Sequence, residues 1–444
     1  MIINRLTYLA WAVCLSSSFT HAADWPQWMG PNRDDVWSEP GIVREFPAEG
    51  LKPRWRKTIH GGFAGPAVAN GRVFVTDYLR LAGDAKLNPT KRDSLEGKER
   101  VLCLSADTGE ELWKHEYACN YDISYPAGPR CTPTVDGEKV YTLGAMGDLL
   151  CLDAASGRVI WSKNLPRDYS ASVPIWGYAG HPLVHKNLLI CMAGGEGSAV
   201  VAFDKMTGKE VWKSLTTSQI GYSPPTLIQA GRTTQLLIFH GTALNSLNPD
   251  NGQLHWSEAI STAYAMSIMS PCRWEDYLFV GGHSNKSLGL KLDDAKPAVT
   301  RLWQGSRTLG LAPVNGTPFV ENGIAYGIDG DGLFRAVRIT TGERLWETSK
   351  PVTGKENNPR RAVEGGTFVT KHEERFFIFG ENGDLVIAQL TPEKYVELSR
   401  AHLLDPVGKA LGRPIVWCHP AYANRCVFAR NDQEIVCVSL AAEK

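Results

Sequence analysis

The sequence predicts an all-β protein, a single eight-bladed β-propeller of four-stranded antiparallel blades that its N- and C-terminal strands close. Three observations predict this fold. A phrase ending in Trp recurs along the chain, short runs of alternating apolar and polar residues are joined by tight turns, and incomplete repeats at the two ends complement each other. A fixed internal period over 444 residues indicates one closed repeat array rather than several separate domains.

The recurring phrase has a strand-like start, a small turn ending in Gly, and a terminal Trp. Its clearest copies are 103–113, 151–161, 202–212, 246–256 and 336–346. Successive terminal Trp residues lie 43 to 58 positions apart, a period that suits a blade of four short strands. We expect these residues to be structural, docking one blade on the next: Trp55, Trp113, Trp161, Trp212, Trp256, Trp303 and Trp346.

The second repeat shows the strand order most plainly. Turns at Asp136-Gly137, at residues 146–148 and at Ser156-Gly157 separate four runs in which apolar and polar residues alternate. This pattern is typical of a four-stranded antiparallel meander. The fifth repeat, closed by Trp303, lacks the turn Gly, and the seventh has Val396 and Leu398 where the Trp is expected.

The eighth blade is predicted to combine both ends of the chain. Residues 51–59 resemble a last strand with no repeat before it, and 415–440 supply three strands with no fourth. Joining them closes the ring and removes the exposed edges between the first and last blades. The whole propeller then covers 51–444, and its other seven blades are 60–114, 115–162, 163–213, 214–257, 258–305, 306–347 and 348–400.

The first blade carries a charged insertion of mixed sign, residues 80–100. We interpret it first as a solvated loop between the second and third strands, and second as a loop that docks a partner.

The N-terminus is predicted to be a cleavable signal peptide over 1–23. Arg5 precedes an apolar run from Leu6 to Phe19, and the small pair Ala22-Ala23 follows a polar spacer. Val13 before Cys14 disfavours lipidation, so a periplasmic or secreted protein is expected. Residues 24–50 are rich in Pro, Gly and Trp without a strand or helix period, which predicts an extended arm that wraps the surface with its Trp residues as anchors.

Composition excludes several classes of protein. The 47 basic and 47 acidic residues balance, so no global field favours nucleic acid or an anionic membrane, and no later run is long and apolar enough for a transmembrane segment. We expect a monomer. The nine cysteines beyond Cys14 leave pairing open, with Cys119–Cys131 and Cys418–Cys426 as possibilities, and no zinc spacing is present.

The repeats resemble the tryptophan-docking motifs of quinoprotein-type propellers, the pyrroloquinoline quinone (PQQ)-like repeat family. The opening DWPQWMGPNRD and the run GAMGDLLCLDAASGRVIW are most similar to exported repeat proteins of planctomycete-type bacteria, which are loosely grouped with the assembly factor BamB. The resemblance implies a propeller whose Trp residues pack between blades. It carries over no catalytic residue, because the adjacent Cys pair of the quinone-dependent dehydrogenases does not occur in this sequence.

Propeller topology sorts the loops into two faces. We define the loop face as the one that bears the connections between blades and the turns between second and third strands. It should present aromatic and cationic side chains suited to a planar, anionic or carbohydrate-like ligand, since Arg forks onto carboxylates and aromatic rings stack. These candidate ligand or partner residues are Tyr125, Arg130, Trp176, Tyr178, His181, Tyr222, Arg360, Arg361, Glu364, Trp417 and His419, with Met266 and Met269 nearby.

Two further motifs are interpreted as turns. The EF-hand spacing fails after Asp329 and Asp331, so no metal site is predicted there. The run 194–197 lacks the Lys and the helix of a phosphate-binding loop.

The sequence therefore favours a non-catalytic binding or scaffolding propeller of the bacterial cell envelope, with a protein or a glycan as its partner and no cofactor. The alternative is a PQQ-dependent alcohol or sugar dehydrogenase. In that case Trp417 or Trp176 would stack on the quinone, Arg360 or Arg361 would hold its carboxylates, and calcium would accompany it. A polysaccharide lyase or hydrolase on the same face is the third possibility.

Overall fold

The computed structural model describes residues 23–356 and 363–443, and it confirms the predicted fold. Eight antiparallel blades of four strands each form the fold. Seven of them are meanders in sequence order, and the eighth combines the first strand of the chain with the last three. The first strands of neighbouring sheets contact each other, whereas the fourth strands are half exposed. The sheets are therefore blades around a central channel, with each first strand innermost. The predicted signal peptide lies outside the described residues except for Ala23.

The strands of blades 1 to 4 are three to thirteen residues long. They are Ala67–Ala69, Arg72–Ala82, Asp93–Ser105 and Glu111–Ala118 in blade 1; Thr134–Asp136, Lys139–Leu143, Asp148–Asp153 and Val159–Asn164 in blade 2; Leu183–His185, Leu188–Met192, Val200–Asp204 and Glu210–Ser214 in blade 3; and Thr226–Ala230, Thr233–His240, Ala243–Leu247 and Leu254–Ala259 in blade 4.

Blades 5 to 8 repeat the same order. Their strands are Cys272–Trp274, Tyr277–Gly282, Lys286–Leu292 and Val299–Gln304 in blade 5; Phe319–Glu321, Ile324–Ile328, Phe334–Arg338 and Arg344–Thr348 in blade 6; Thr367–His372, Arg375–Gly380, Asp384–Leu390 and Tyr395–His402 in blade 7; and Ala421–Ala423, Cys426–Arg430, Glu434–Ser439 and Pro53–Thr58 in blade 8. Between the blades lie two short helices, a 3-10 turn and three extra strands: Leu165–Tyr169, Lys350–Thr353, Ala263–Ala265, Tyr121–Ile123, Gly408–Ala410 and Arg413–Ile415.

The two ends of the chain meet in blade 8. Trp55 of the N-terminal strand pairs with Cys437 of the last strand in antiparallel register. The predicted closure is confirmed, because blade 8 has all four of its strands. Among the described residues, no helix has the length and apolar character needed to cross a membrane.

The repeated Trp side chains join each blade to the next. Trp55, Trp113, Trp161, Trp212, Trp303 and Trp346 each donate the indole N–H to a backbone carbonyl in the following blade, at 2.8 to 3.1 Å. For all of these except Trp346, the turn Gly of that following blade packs against the indole. Gly208, for example, has φ +70°, and a Cβ on it would lie 2.7 Å from Trp161 Cδ2. The Gly is therefore required both for its backbone conformation and for its lack of a side chain.

Trp256 departs from this pattern. Its indole N–H donates to Gln235 Oε1, 2.9 Å away within its own blade. The turn of the following repeat also lacks the Gly that most of the other turns place against the preceding Trp. Trp256 thus closes a hydrogen bond inside blade 4 rather than to blade 5.

The insertion in blade 1 is a solvated loop only at its tip, residues 83–92, where every residue is exposed or partly exposed. Its two ends continue the second and third strands as a long hairpin, Arg72–Ala82 paired with Asp93–Ser105, and the strand Tyr121–Ile123 adds to it. Arg92 at the hairpin tip donates to the carbonyls of Asp122 and Val173. The hairpin is therefore tied down across the loop face.

The N-terminal arm lies inside the channel instead of over the outer surface. Trp25 forms a backbone bridge with Val68 of the first strand of blade 1, and the backbone N–H of Trp37 donates to Lys371 of blade 7. Trp25 and Trp37 are only 1% and 2% exposed. Burying these aromatic rings in the channel removes more apolar area from water than packing them on the outer surface would. The arm therefore fills the channel, and we call it the plug.

The cysteines take no part in disulfides in the described chain. All nine beyond Cys14 are free thiols, eight of them buried, so neither of the two pairings considered from the sequence is present.

Candidate functional site

A cavity of about 410 Å³ opens on the loop face at the centre of the ring. Residues just before the first strands of several blades form its wall, including Gly65, Thr132, Pro224 and Thr317. Its volume falls within the range of about 300–1,000 Å³ typical of small-molecule sites. We call it the central cavity.

The plug provides the floor of the central cavity. Trp28 stacks on the His181 ring with centroids 4.6 Å apart and an interplanar angle of 10°, and the edge of the His419 ring faces it at 6.4 Å. Arg33 holds the arm in place by donating to the carbonyls of Pro182 and His181. Burial, which penalises the charged form, lowers the pKa of Arg33 to about 10.

Two tryptophans of the wall pack against one hydrophobic cluster that includes Tyr125, and each is oriented by a hydrogen bond from its indole N–H. Trp176 donates to the Pro89 carbonyl at 3.1 Å, and Trp417 donates to Glu381 Oε2 at 2.9 Å. Both rings are half exposed. Because their N–H groups are bound away from the cavity, the rings can offer it their apolar faces.

The structure brings together most of the residues that the sequence singled out. Tyr178 is not among the lining residues: it is fully buried beneath the loop face and donates its hydroxyl to the Ala193 carbonyl at 2.8 Å. Arg360 and Arg361 lie outside the described residues. The eight candidates that line the central cavity are Tyr125, Arg130, Trp176, His181, Tyr222, Glu364, Trp417 and His419.

Arg130 does not act as a free cation in the cavity. Its guanidinium donates to the carbonyls of Gly128, Ser124 and Tyr125 in its own loop, and it lies 5.2 Å from the centroid of the Phe63 ring. Burial lowers its pKa from the usual value. The guanidinium therefore folds the loop and has little capacity left to bind an anionic ligand.

His181 is neutral near pH 7. Burial, together with the charges of Arg33 and His419, lowers its pKa well below the ordinary range. Its Nδ1 accepts the backbone N–H of Thr132 at 3.0 Å, so the hydrogen of the neutral ring is on Nε2. The ring then serves as a fixed, uncharged donor.

Two further histidines pair with carboxylates. His419 Nε2 lies 2.9 Å from Asp35 Oδ1, and its Nδ1 donates to the Pro420 carbonyl at 2.9 Å. Burial lowers the pKa of His419, but Asp35 outweighs it and the net shift is upward. His283 Nε2 lies 3.1 Å from Glu364 Oε1, and this contact lowers the pKa of the Glu364 carboxyl. Each of these two histidines thus has a carboxylate partner at the cavity.

Several lining residues were missed from the sequence. Trp28 was assigned to the outer surface, and Thr90 and Pro89 belong to the insertion that was interpreted as solvated. Leu411 lines the cavity from the hairpin Gly408–Ala410 and Arg413–Ile415, and Phe63, Tyr264, His283 and Phe368 complete it. The dense Trp and Pro content of the arm was the one available signal for Trp28, because a solvated arm does not need three tryptophans.

The described chain offers little to a metal. No group of three or more His, Cys, Asp or Glu side chains positioned to hold an ion occurs among residues 23–356 and 363–443. The chemistry that the cavity does offer is aromatic stacking with a few fixed, uncharged or internally compensated polar groups.

These features define a class of protein, an eight-bladed propeller of the PQQ-like repeat type with a central aromatic cavity. The family described as outer membrane protein assembly factor BamB matches residues 97–310 and 306–444. The chain belongs to this family. The planctomycete-type subgroup stays a prediction.

Curated relatives of two kinds are similar to parts of the chain. Quinohemoprotein alcohol dehydrogenase ADH IIB of Pseudomonas putida is 30% identical over 149 residues, 31% of this chain and 21% of that protein. BamB of Burkholderia pseudomallei is 25% identical over 200 residues, 37% of this chain and 48% of that protein. The matches thus span less than half the length of these two relatives.

The fold is also similar to that of a solved enzyme. Quinohemoprotein alcohol dehydrogenase from Comamonas testosteroni superposes with a TM-score of 0.57 at 12% identity, covering 95% of this chain and 81% of that one. At such low identity the likeness concerns the fold alone.

Proposed function

We propose that this protein is a non-catalytic binding propeller of the bacterial cell envelope that takes an uncharged glycan in the central cavity. The observation that carries the proposal is the lining itself. Trp176, Trp417, Tyr125 and Tyr222 line the cavity, and the one arginine among its described lining residues is engaged by its own loop. Sugar rings present C–H faces that stack on aromatic rings and hydroxyls that hydrogen-bond to neutral donors and acceptors.

The polar groups at the cavity match such a ligand better than an anion. His181 supplies an uncharged Nε2–H, and Asn315 and Thr90 line the wall with neutral side chains. Glu364 brings a carboxylate that lies 3.1 Å from His283 Nε2. An anionic ligand would meet that carboxylate, and among the described lining residues no free guanidinium offsets the Coulomb repulsion that would oppose binding.

The family match favours a second candidate, a scaffold for envelope proteins. The match to assembly factor BamB extends over most of the chain. However, the central cavity is recessed and has the volume of a small-molecule site, whereas a stable protein interface buries about 1,200–2,000 Å² of open surface. A protein partner would therefore use another surface, and substitutions in the cavity would not affect its binding.

The described residues do not fit a quinone cofactor. PQQ is a planar tricarboxylate, and the guanidinium groups of Arg130 and Arg33 already donate to backbone carbonyls. The described chain also lacks a group of acidic ligands for calcium. Incubation of the mature protein with PQQ and calcium should give no stoichiometric uptake by absorbance, and uptake with dye-linked alcohol oxidation would support the dehydrogenase instead.

The direct test is an array of neutral and anionic oligosaccharides probed with the mature protein and with Trp176→Ala. We expect retention on neutral glycans that Trp176→Ala abolishes. Trp274→Ala is the matched control, because Trp274 is a half-buried Trp at a first turn of blade 5, on the opposite face, and it should bind as the parent does. Retention on anionic glycans alone, or on none, would overturn the proposal.

A further inference from the structure

A second hollow lies beside the central cavity on the loop face. It has a volume of about 590 Å³ and lies over the junction of blades 3 and 4. Its wall comes from the segment 170–175, the turn 194–196 and the connection 216–222. We call it the outer hollow.

The two spaces share their boundary residues. Tyr222 and Tyr264 line both the central cavity and the outer hollow. Tyr222 is buried and packs its ring 5.5 Å from that of Trp176, whereas Tyr264 is 67% exposed. The two spaces are therefore adjoining sections of one depression, with Tyr264 at the passage between them.

The character of the lining changes across that passage. The central cavity is mainly aromatic, but the outer hollow is lined by small hydroxyl and amide side chains, among them Ser170, Ser172, Ser218 and Gln219. Glu196 is the one charged side chain of its lining. Beside apolar side chains such as Val173, Ile175 and Ile220, such a surface provides many neutral hydrogen-bond donors and acceptors.

Tyr264 is held in an unusual position. Both Tyr264 and Ala265 have φ +57°, in the left-handed region that residues with a Cβ seldom adopt. The turn is fixed by backbone hydrogen bonds from Met266 to Ala263 and from Ser267 to Ala265. The ring lies 6.0 Å from that of His283 and is otherwise open to solvent. Backbone strain that leaves a large aromatic side chain exposed is typical of ligand-binding sites.

We propose that the central cavity and the outer hollow form one binding path for a linear, uncharged oligosaccharide that crosses Tyr264. This proposal rests on the proposed function and adds the length and direction of the ligand. One end of the chain stacks in the central cavity. The next units pass over the Tyr264 ring, and the following units hydrogen-bond to the hydroxyls of the outer hollow.

The test is a calorimetric titration with oligomers of one sugar, from the disaccharide to the hexasaccharide. The probe is the cello-oligosaccharide series, or the same lengths of another neutral sugar if the array selects one. We expect affinity to rise with length and then level off, with a gain of about threefold to tenfold where the chain reaches Tyr264.

Two variants separate the outer hollow from the central cavity. Tyr264→Ala changes a residue that both spaces share, and it should remove the gain with length. Ser218→Trp, at an exposed position that lines the outer hollow alone, should block the outer hollow, remove the same gain and leave the disaccharide affinity unchanged. Tyr277→Ala is the control, since Tyr277 begins the second strand of blade 5 at the opposite face.

The outcomes distinguish this proposal from the proposed function. If all lengths bind equally and Trp176→Ala still abolishes binding, the path is overturned and the glycan site stands. If the gain with length persists in both Tyr264→Ala and Ser218→Trp, the path over Tyr264 into the outer hollow is overturned. If no oligosaccharide binds, the proposed function fails and the path fails with it.

Discussion

The contact between the turn Gly of one blade and the Trp of the preceding blade makes a quantitative prediction. Gly208 has φ +70°, and a Cβ there would lie 2.7 Å from Trp161 Cδ2 and 2.8 Å from Cε3. Gly71 is the matched control, because it has φ +71° in a turn of blade 1 with no atom within 4 Å of the same position. Alanine at either position has the same backbone strain, but only Gly208→Ala collides with a docked ring.

The expected losses of unfolding free energy follow from the backbone strain and from the collision with the indole ring. A residue with a Cβ in the left-handed region costs about 1–2 kcal/mol, so Gly71→Ala should lower the free energy of unfolding by about that amount. Gly208→Ala should add an overpacking penalty of about 1–3 kcal/mol, because the rigid indole must move. The change in unfolded-state entropy is the same for both variants and cancels in the comparison.

The assay is urea unfolding followed by tryptophan fluorescence and circular dichroism. Gly208→Ala should unfold at a clearly lower urea concentration than Gly71→Ala, and Trp161→Ala should abolish the excess when combined with Gly208→Ala, since the ring that collides is gone. Equal unfolding midpoints for the two glycine variants would refute the reasoning that the turn and the Trp form a rigid clasp between blades.

Three other predictions concern single side chains. Trp161→Phe removes one hydrogen bond between blades and should lower the free energy of unfolding by about 0.5–1.5 kcal/mol in the same urea assay, in addition to the loss of ring area. His402 lies between two aspartates that outweigh burial and raise its pKa. Its stabilising contribution is therefore complete below about pH 6.5 and is lost as the pH rises through the folded-state pKa, so His402→Gln should shift the melting temperature downward at pH 5.5 but hardly at pH 9. Trp28→Ala removes the floor of the central cavity and should destabilise the fold by about 3–5 kcal/mol while abolishing glycan retention, and a variant of parental stability would contradict its place in the plug.

The blade architecture was predictable because it is a repeated local pattern. Alternation over short runs, Gly at the turn and Trp at the end each occur several times, so the loss of one element, as in the turn before Trp303, does not hide the period. The hydrogen bond that Trp256 makes within its own blade could not be predicted from the sequence of its own repeat. Trp346 also precedes a blade whose turn lacks Gly and still donates to that blade, so the missing Gly does not by itself determine the partner.

The candidate site was predictable in location but not in detail. Topology alone places Trp176, His181 and Trp417 on one face, and they line one cavity. Two features of the site, the placement of the arm and the direction of the Arg130 side chain, could be decided only from the structure. The arm without periodicity could lie outside or inside the ring, and Arg130 could face a ligand or cap its own loop. Each choice depends on contacts between residues far apart in sequence or on the direction of a single flexible side chain.

The most direct test of the central claim is a crystal structure of the mature protein with the neutral oligosaccharide that the array retains. We expect density for a sugar ring in the central cavity, stacked on Trp176 or Trp417, with a hydroxyl within hydrogen-bonding distance of His181 Nε2. Density for the sugar on another surface, with the central cavity filled only by water, would contradict the account.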